Sequence, residues 1–252
     1  MSALFLTALV VHLQAATTKF SDLCTNTSAS AEDLPTQTNH VTDTGASPFW
    51  AELLDSAGTI VYQAKSNDTC ATNTAATSNR VIWVVTPSSA LGSADYDFSF
   101  VIVTPSAGQT DDDHLCAFGR MTDATHGYGA CVDSDTAPQT VSIIVLNGAN
   151  SGLTAQVPVT TTLNNGDVLM LSMRGDTIKA KINGVTMTCL VDATNTMAGQ
   201  GGIGQGNFIT STADVASGER DNILLEDATG DGGDDNCSAA GAPKGLLMGI
   251  LP

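Results

Sequence analysis

The side chains best suited to chemistry are carboxylates gathered near the C-terminus, where Asp227, Asp231, Asp234, Asp235 and Asn236 fall within one glycine-rich stretch. Hard cations take several carboxylate and carbonyl oxygens, so Asp227, Asp231, Asp234 and Asp235 form a candidate calcium-type site. Their spacing does not follow an EF-hand loop, and the run Asp111-Asp112-Asp113 lacks a supporting turn pattern, so a solvated acidic loop is the simpler reading of both. A second group, Glu219, Asp221 and Glu226, lies on one strand-like segment, where a glycosidase would place an acid pair. Simple alternation puts Glu219 and Asp221 on one face and Glu226 on the other, which argues against catalysis. His12, His40, His114 and His126 are dispersed, and no serine sits in a nucleophile-elbow context.

Six cysteines, Cys24, Cys70, Cys116, Cys131, Cys189 and Cys237, lack the close spacing of a zinc site or a redox pair. Cys116 and Cys131 each lie five residues outside a turn expected over residues 121–126, which makes them a candidate disulfide across two strands. Two reduced thiols packed as small hydrophobes are the alternative. Trp50 and Trp83 sit among apolar neighbours and read as core residues in preference to sugar-stacking platforms. Asn26, Asn67 and Asn236 each open a glycosylation pattern that matters only on a secretory route.

The chain has 252 residues, with 26 acidic against 9 basic side chains and a formal charge of −17, which repels a phosphate backbone. Arg80, Arg120, Arg174 and Arg220 are scattered, and Lys179 with Lys181 reads as the wet face of a strand, so no nucleic-acid partner is expected. A solvated acidic surface is the plain interpretation of the charge.

The elements that must position these groups are strands. Residues 164–204 read as three strands joined by glycine turns and ending in a glycine-rich closure: 168–173 is an apolar run, 177–183 alternates apolar residues with Lys179 and Lys181, and Asn183-Gly184 suits a two-residue hairpin turn. Further strand candidates are 49–54, 59–64, 81–86, 96–103, 114–121, 127–132, 141–146, 153–159 and 222–226, while 25–44 reads as a long irregular connection. Short strands at regular spacing with polar turns predict an all-β fold of two packed antiparallel sheets. The division expected is an N-terminal arm or signal-like segment over residues 1–18, a sandwich over 19–227, and an acidic loop with an apolar tail over 228–252. The apolar N-terminal stretch is too short to span a bilayer, and no membrane partner is expected. Leu4 and Leu6 at one end, and Leu246, Leu247, Met248, Ile250 and Leu251 at the other, are candidate assembly residues, because such side chains otherwise face water.

The order of pieces resembles the concanavalin A-like jelly roll in its laminin-G-like branch. Phe20-Ser21-Asp22 and the residues to Thr25 resemble its opening strand, 114–132 its central pair returning through Gly127-Tyr128-Gly129, 164–204 its meander, and Asp221-Asn222-Ile223 its final strand. The family includes lectins, glycosidase accessory domains and many phage structural proteins. The resemblance, with the apolar termini, implies a non-enzymatic virion structural protein, a phage capsid decoration or cement protein or a head or tail accessory protein. It would sit at the virion surface, with itself and other capsid proteins as partners and no cofactor beyond the candidate calcium. The alternative is a secreted carbohydrate-binding module, with a glycan as partner and paired cysteines.

Overall fold

The computed structural model describes residues 17–26, 32–34, 40–44, 50–55, 62–64, 69–72, 81–87, 89–104, 114–133, 138–148, 155–206, 219–228 and 237. Every regular element among them is a strand. The first seven are β1 (Thr17–Asn26), β2 (Glu32–Leu34), β3 (His40–Thr44), β4 (Trp50–Asp55), β5 (Tyr62–Ala64), β6 (Cys70–Thr72) and β7 (Val81–Val85). The central group is β8 (Tyr96–Thr104), β9 (His114–Asp123), β10 (His126–Asp133), β11 (Gln139–Asn147) and β12 (Ala155–Thr161). The last five are β13 (Val168–Arg174), β14 (Thr177–Ile182), β15 (Val185–Val191), β16 (Gln200–Gly206) and β17 (Glu219–Asp227).

Two antiparallel sheets form a concanavalin A-like sandwich. One has ten strands in the order β15-β14-β13-β8-β17-β6-β5-β2, with β1 joined to β17 and β3; the other has seven, in the order β12-β11-β10-β9-β16-β7-β4. The meander expected over 164–204 is β13, β14 and β15, and its closure, β16, crosses to the seven-stranded sheet between β9 and β7. Asn183 and Gly184 turn the β14–β15 hairpin with φ of 51° and 78°, the two positive angles such a turn needs.

The core lies between the sheets. Phe20, Tyr96, Phe98, Phe100, Leu169 and Leu171 from the ten-stranded sheet meet Trp83, Leu115, Tyr128, Ala130, Val132 and Ile143 from the other. Trp50 and Trp83 are both buried. Trp50 binds the sheets together: its ring meets Phe20 edge-on at 5.4 Å, and its Nε1 donates to the buried Asp22 carboxylate at 2.9 Å. Replacing such a ring with alanine costs about 3–5 kcal/mol. The seven-stranded sheet is apolar on its other face too, where Ile82, Val84, Cys116, Phe118, Ile144 and Leu146 form a second buried cluster. Runs such as 81–85 are continuously apolar because both faces of that sheet are dry.

Three disulfides join Cys24 to Cys70, Cys116 to Cys131 and Cys189 to Cys237. β1 and β6 lie end to end along one edge of β17, and Cys24–Cys70 ties them there.

Several expectations are corrected. The stretch 25–44 is not wholly irregular, since β2 and β3 lie within it, and β6 was not foreseen. β2 and β3 are short edge strands, where little apolar content is needed, and β6 is a three-residue strand between β17 and β5. Lys179 is not a wet residue: it is only 6% exposed, standing in register between Ser172 and Cys189 on the side where Cys237 is bonded. The described arginines are also buried, Arg220 stacking 5.4 Å above the Phe100 ring and Arg174 pairing with Asp97.

Candidate functional site

A cleft of about 430 Å³ opens where the β9–β10 turn meets the loop between β15 and β16. Thr122, Asp123 and His126 form one wall, and Thr194, Thr196 and Met197 the other. Buried Arg120 and Asn195 close its floor.

Each wall is held by the same local device. Asp123 accepts the amide of Thr125 at 2.6 Å, and Asp192 accepts the amide of Thr194 at 2.7 Å, the side-chain turn by which aspartate caps its own chain two residues on. The tripeptide Asp-Ala-Thr occurs at both places, a sequence signal for the two capped turns, though its third copy at 227–229 lies outside the cleft.

Below the loops lies a buried polar framework. Tyr128 donates its hydroxyl to Asp192 Oδ1 at 2.7 Å and accepts the amide of Asn195 at 3.0 Å. The Asn195 side-chain amide donates to the carbonyls of Gly127 and Leu146 at 3.1 and 3.0 Å. Arg120 Nε donates to the Ala94 carbonyl at 2.9 Å, Nη1 to Asn195 O at 3.2 Å, and Nη2 pairs with Asp95 at 3.3 Å. A left-handed backbone at Arg120, φ 51°, breaks the alternation of β9 and turns the guanidinium beneath the loops; such a conformation costs a non-glycine residue roughly 1–2 kcal/mol. Tyr96 accepts the Arg120 amide and donates to Gly199 O, and burial pushes its hydroxyl far above the ordinary tyrosine range. Burial likewise raises Tyr128 to about 12, with its bond to Asp192 adding to the shift. Burial works to raise the Asp192 carboxyl, but hydrogen bonds from Tyr128 and Thr194 outweigh it and leave the group below its usual value.

At the mouth, the hydroxyl and amide of Thr125, helped by His126, lower Asp123 to about 2. His126 Nδ1 lies 2.9 Å from Asp123 Oδ2 and donates to it, so in the neutral ring Nε2 is an acceptor. The hydroxyls of Thr122 and Thr196 bond to no described residue. The cleft thus offers a carboxylate and a ring nitrogen as acceptors, and two hydroxyls that both donate and accept. A hydrolytic triad would need a nucleophile on Nε2, and the hydroxyl beside His126, that of Thr125, is on Nδ1 instead. A depressed Asp123 also cannot serve as the proton donor a glycosidase requires.

The carboxylates of β17 are arranged differently from the expectation. Asn222 is left-handed, φ 47°, and the register slips between Asp221 and Leu224, so Glu226 joins Asp221 on the outer face while Arg220, Ile223 and Leu225 point inward. The alternation argument against a pair is therefore overturned by a bulge. No acid pair results, because Glu219 accepts the Thr69 hydroxyl and Asp221 binds Asn222, while Asp97, the acid opposite Glu226, is held through both oxygens by Arg174 at 3.0 and 2.9 Å. Burial first, then Asp97, raises the Glu226 carboxyl.

Of the candidate calcium ligands, Asp227 is 8% exposed and its carboxylate accepts the Gly92 amide at 2.7 Å and pairs with Lys19 at 3.8 Å. Asp231, Asp234 and Asp235 lie outside the described residues, as do Leu4, Leu6, Leu246, Leu247, Met248, Ile250 and Leu251. Asp22, Cys24 and Cys70 are close enough together to suggest a metal site, but both sulfurs are in a disulfide and Asp22 is bonded to Cys24 N and Trp50. No helix among the described residues is long and apolar enough to cross a membrane.

No protein-family model matches the sequence, and no curated protein matches it either. Among solved structures, carbohydrate binding module CBM66 from Bacillus subtilis aligns with a TM-score of 0.51 and 16% identity over 73% of this chain and 97% of that one. The exoplasmic/lumenal domain of VIP36 in its Ca2+/Man3GlcNAc-bound form aligns at 0.47 and 12%, covering 73% and 85%, and a legume lectin-like domain from Entamoeba histolytica at 0.44 and 11%, covering 70% and 89%. At such identities the first of these supports the two-sheet sandwich as a fold.

Proposed function

We propose that this chain is a non-catalytic carbohydrate-binding module of an extracellular or lumenal compartment, and that it takes a glycan in the cleft between Asp123 and Thr196. The observation that carries the reading is the cleft itself: a concave site rimmed by hydrogen-bonding groups on a rigid buried framework, without a nucleophile or a proton-donating acid. A sugar hydroxyl donates to the Asp123 carboxylate or His126 Nε2 and accepts from a threonine, which is the exchange such a rim allows. The sandwich likeness to a carbohydrate-binding module supports the same reading as analogy. Three disulfides support the compartment, since such bonds persist where the surroundings are oxidising.

The reading takes precedence over the virion structural role because the sandwich likeness to a carbohydrate-binding module favours it. It also needs no cation at the cleft. Calorimetric titration of the full chain with a panel of defined glycans tests it, alongside Asp123→Ala. Saturable binding of a glycan that falls at least tenfold in the variant is expected. Absence of binding across the panel, or equal binding by the variant, would overturn the assignment.

A further inference from the structure

A second cleft, of about 510 Å³, adjoins the first. Thr122 lines both, and the loop between β15 and β16 runs from one to the other, giving Thr196 and Met197 to the first and Ala198, Gly199 and Gln200 to the second. The remaining wall is apolar: Pro87, Ala90 and Leu91 from the β7–β8 connection, with Met121 beneath. The two spaces differ in chemistry as well as position. The first is rimmed by a carboxylate, an imidazole and hydroxyls, and the second offers apolar carbon with Thr122 and Gln200 as its polar side chains.

What keeps the clefts adjacent is Gly199. A Cβ there would stand 2.4 Å from the Arg120 carbonyl carbon and 2.6 Å from the amide nitrogen and the carbonyl oxygen of Met121, so the loop rests directly on the β9 backbone. Every Phe, Tyr and Trp whose side chain is described is buried, so among the described residues none of these rings offers a face for a sugar to stack on. Among the described residues the apolar contact of the second cleft comes from its aliphatic wall, which suits a small alkyl group better than a flat ring.

We infer that the two clefts form one extended site for an oligosaccharide of at least two consecutive units: one unit hydrogen-bonds in the Asp123 cleft, and the next carries a methyl group, of an N-acetyl or 6-deoxy substituent, against Leu91 and Met121. The inference rests on the glycan-binding reading and specifies its ligand class. Each cleft lies within the ~300–1,000 Å³ typical of small-ligand sites, so a single sugar leaves the second cleft to water.

The test is calorimetry on the full chain with matched probes: N-acetylglucosamine against its β1,4-linked trimer, fucose against a fucosylated trisaccharide, and mannose against mannotriose. A methyl-bearing oligosaccharide is expected to bind at least tenfold tighter than its monosaccharide, with little gain for mannotriose. Ala90→Trp and Ala198→Trp fill the second cleft from exposed positions. Each is expected to remove the oligosaccharide gain and to leave monosaccharide binding within about twofold, with an unchanged circular dichroism spectrum confirming the fold. Equal affinity for monosaccharide and oligosaccharide, or a gain that survives both tryptophans, overturns the extended site while leaving glycan binding intact. An equal gain for mannotriose overturns the methyl assignment. Absence of binding to every probe overturns the functional reading itself, and this inference with it.

Discussion

Replacing Tyr128 with phenylalanine removes one oxygen from the middle of the cleft framework and leaves the ring in the core. In the protein that oxygen accepts the amide of Asn195, a residue 8% exposed, and donates to the Asp192 carboxylate. The Asn195 amide is then buried without a partner, at a cost of about 1–3 kcal/mol. Asp192 keeps the Thr194 amide at 2.7 Å and some access to water, so its share of the loss is smaller. A net destabilisation of about 2–3 kcal/mol follows, which at roughly 2–4 °C per kcal/mol for a domain of this size lowers the melting temperature by about 4–12 °C. The pH dependence carries a second signature. The folded-state carboxyl of Asp192 is held below its unfolded value partly by Tyr128, so its contribution is present above the unfolded value and is lost as pH falls through the folded one. The deficit of Tyr128→Phe should therefore narrow in strong acid. Differential scanning calorimetry of both proteins from pH 7 down to about pH 2 measures both effects. A variant within about 0.5 kcal/mol of the parent at neutral pH, or a deficit that widens in acid, would refute the view that this hydroxyl holds the loop.

Other outcomes follow from the same geometry. Gly199→Val drives a side chain into the β9 backbone and should cost about 1–3 kcal/mol while abolishing glycan binding, readable by thermal melts and titration; an undisturbed variant would refute the close seat of the loop. Asp123, lowered to about 2, keeps its charge through mild acid, so a loss of glycan affinity between pH 7 and 4 in His126→Gln would contradict its role as an acceptor. For stability the sign is the same as for Asp192, with the contribution fading as pH falls through about 2, and the exposure of this group makes that contribution small. Cys189→Ser together with Cys237→Ser opens a closure of 48 residues and should lower stability by about 2–4 kcal/mol in denaturant titration, whereas reducing agent should then have no further effect at that bond. Chelator should leave glycan binding and the melting temperature unchanged; a clear drop on chelation would return Asp227 and the acidic stretch after it to consideration.

The sandwich was legible from local rules. Alternation in 177–183, the Asn183-Gly184 turn and the apolar runs 81–85 and 141–146 each specify a strand through short-range patterning, which is why the meander and most long strands emerge near their observed bounds. Cys131 does stand opposite Cys116, but the turn closes at Asp123 and His126, and a register shift between His126 and Tyr128, which no local rule supplies, brings the two cysteines level. What local patterning does not contain is the short strand with little apolar content, hence the edge strands β2 and β3 and the three-residue β6 between β17 and β5, and the bulge, hence the wrong face assigned to Glu226. The bulge at Asn222 depends on how β17 seats between β8 and β1, a property of three strands together.

The sequence by itself determined the class of fold, the hairpins and the burial of the tryptophans, because each depends on residues within a few positions of one another. Only the tertiary structure decided the site. Asp123 and His126 lie on one turn, Asp192 to Met197 on a loop about seventy residues further on, and Ala94 and Asp95 on a third connection; Arg120 and Tyr128 bring them together from beneath. That convergence comes from the crossing of β15 to β16 between the sheets, a long-range event that no spacing along the chain records. The two Asp-Ala-Thr turns carry local capping chemistry, and the fold turns them into the opposite walls of one cleft.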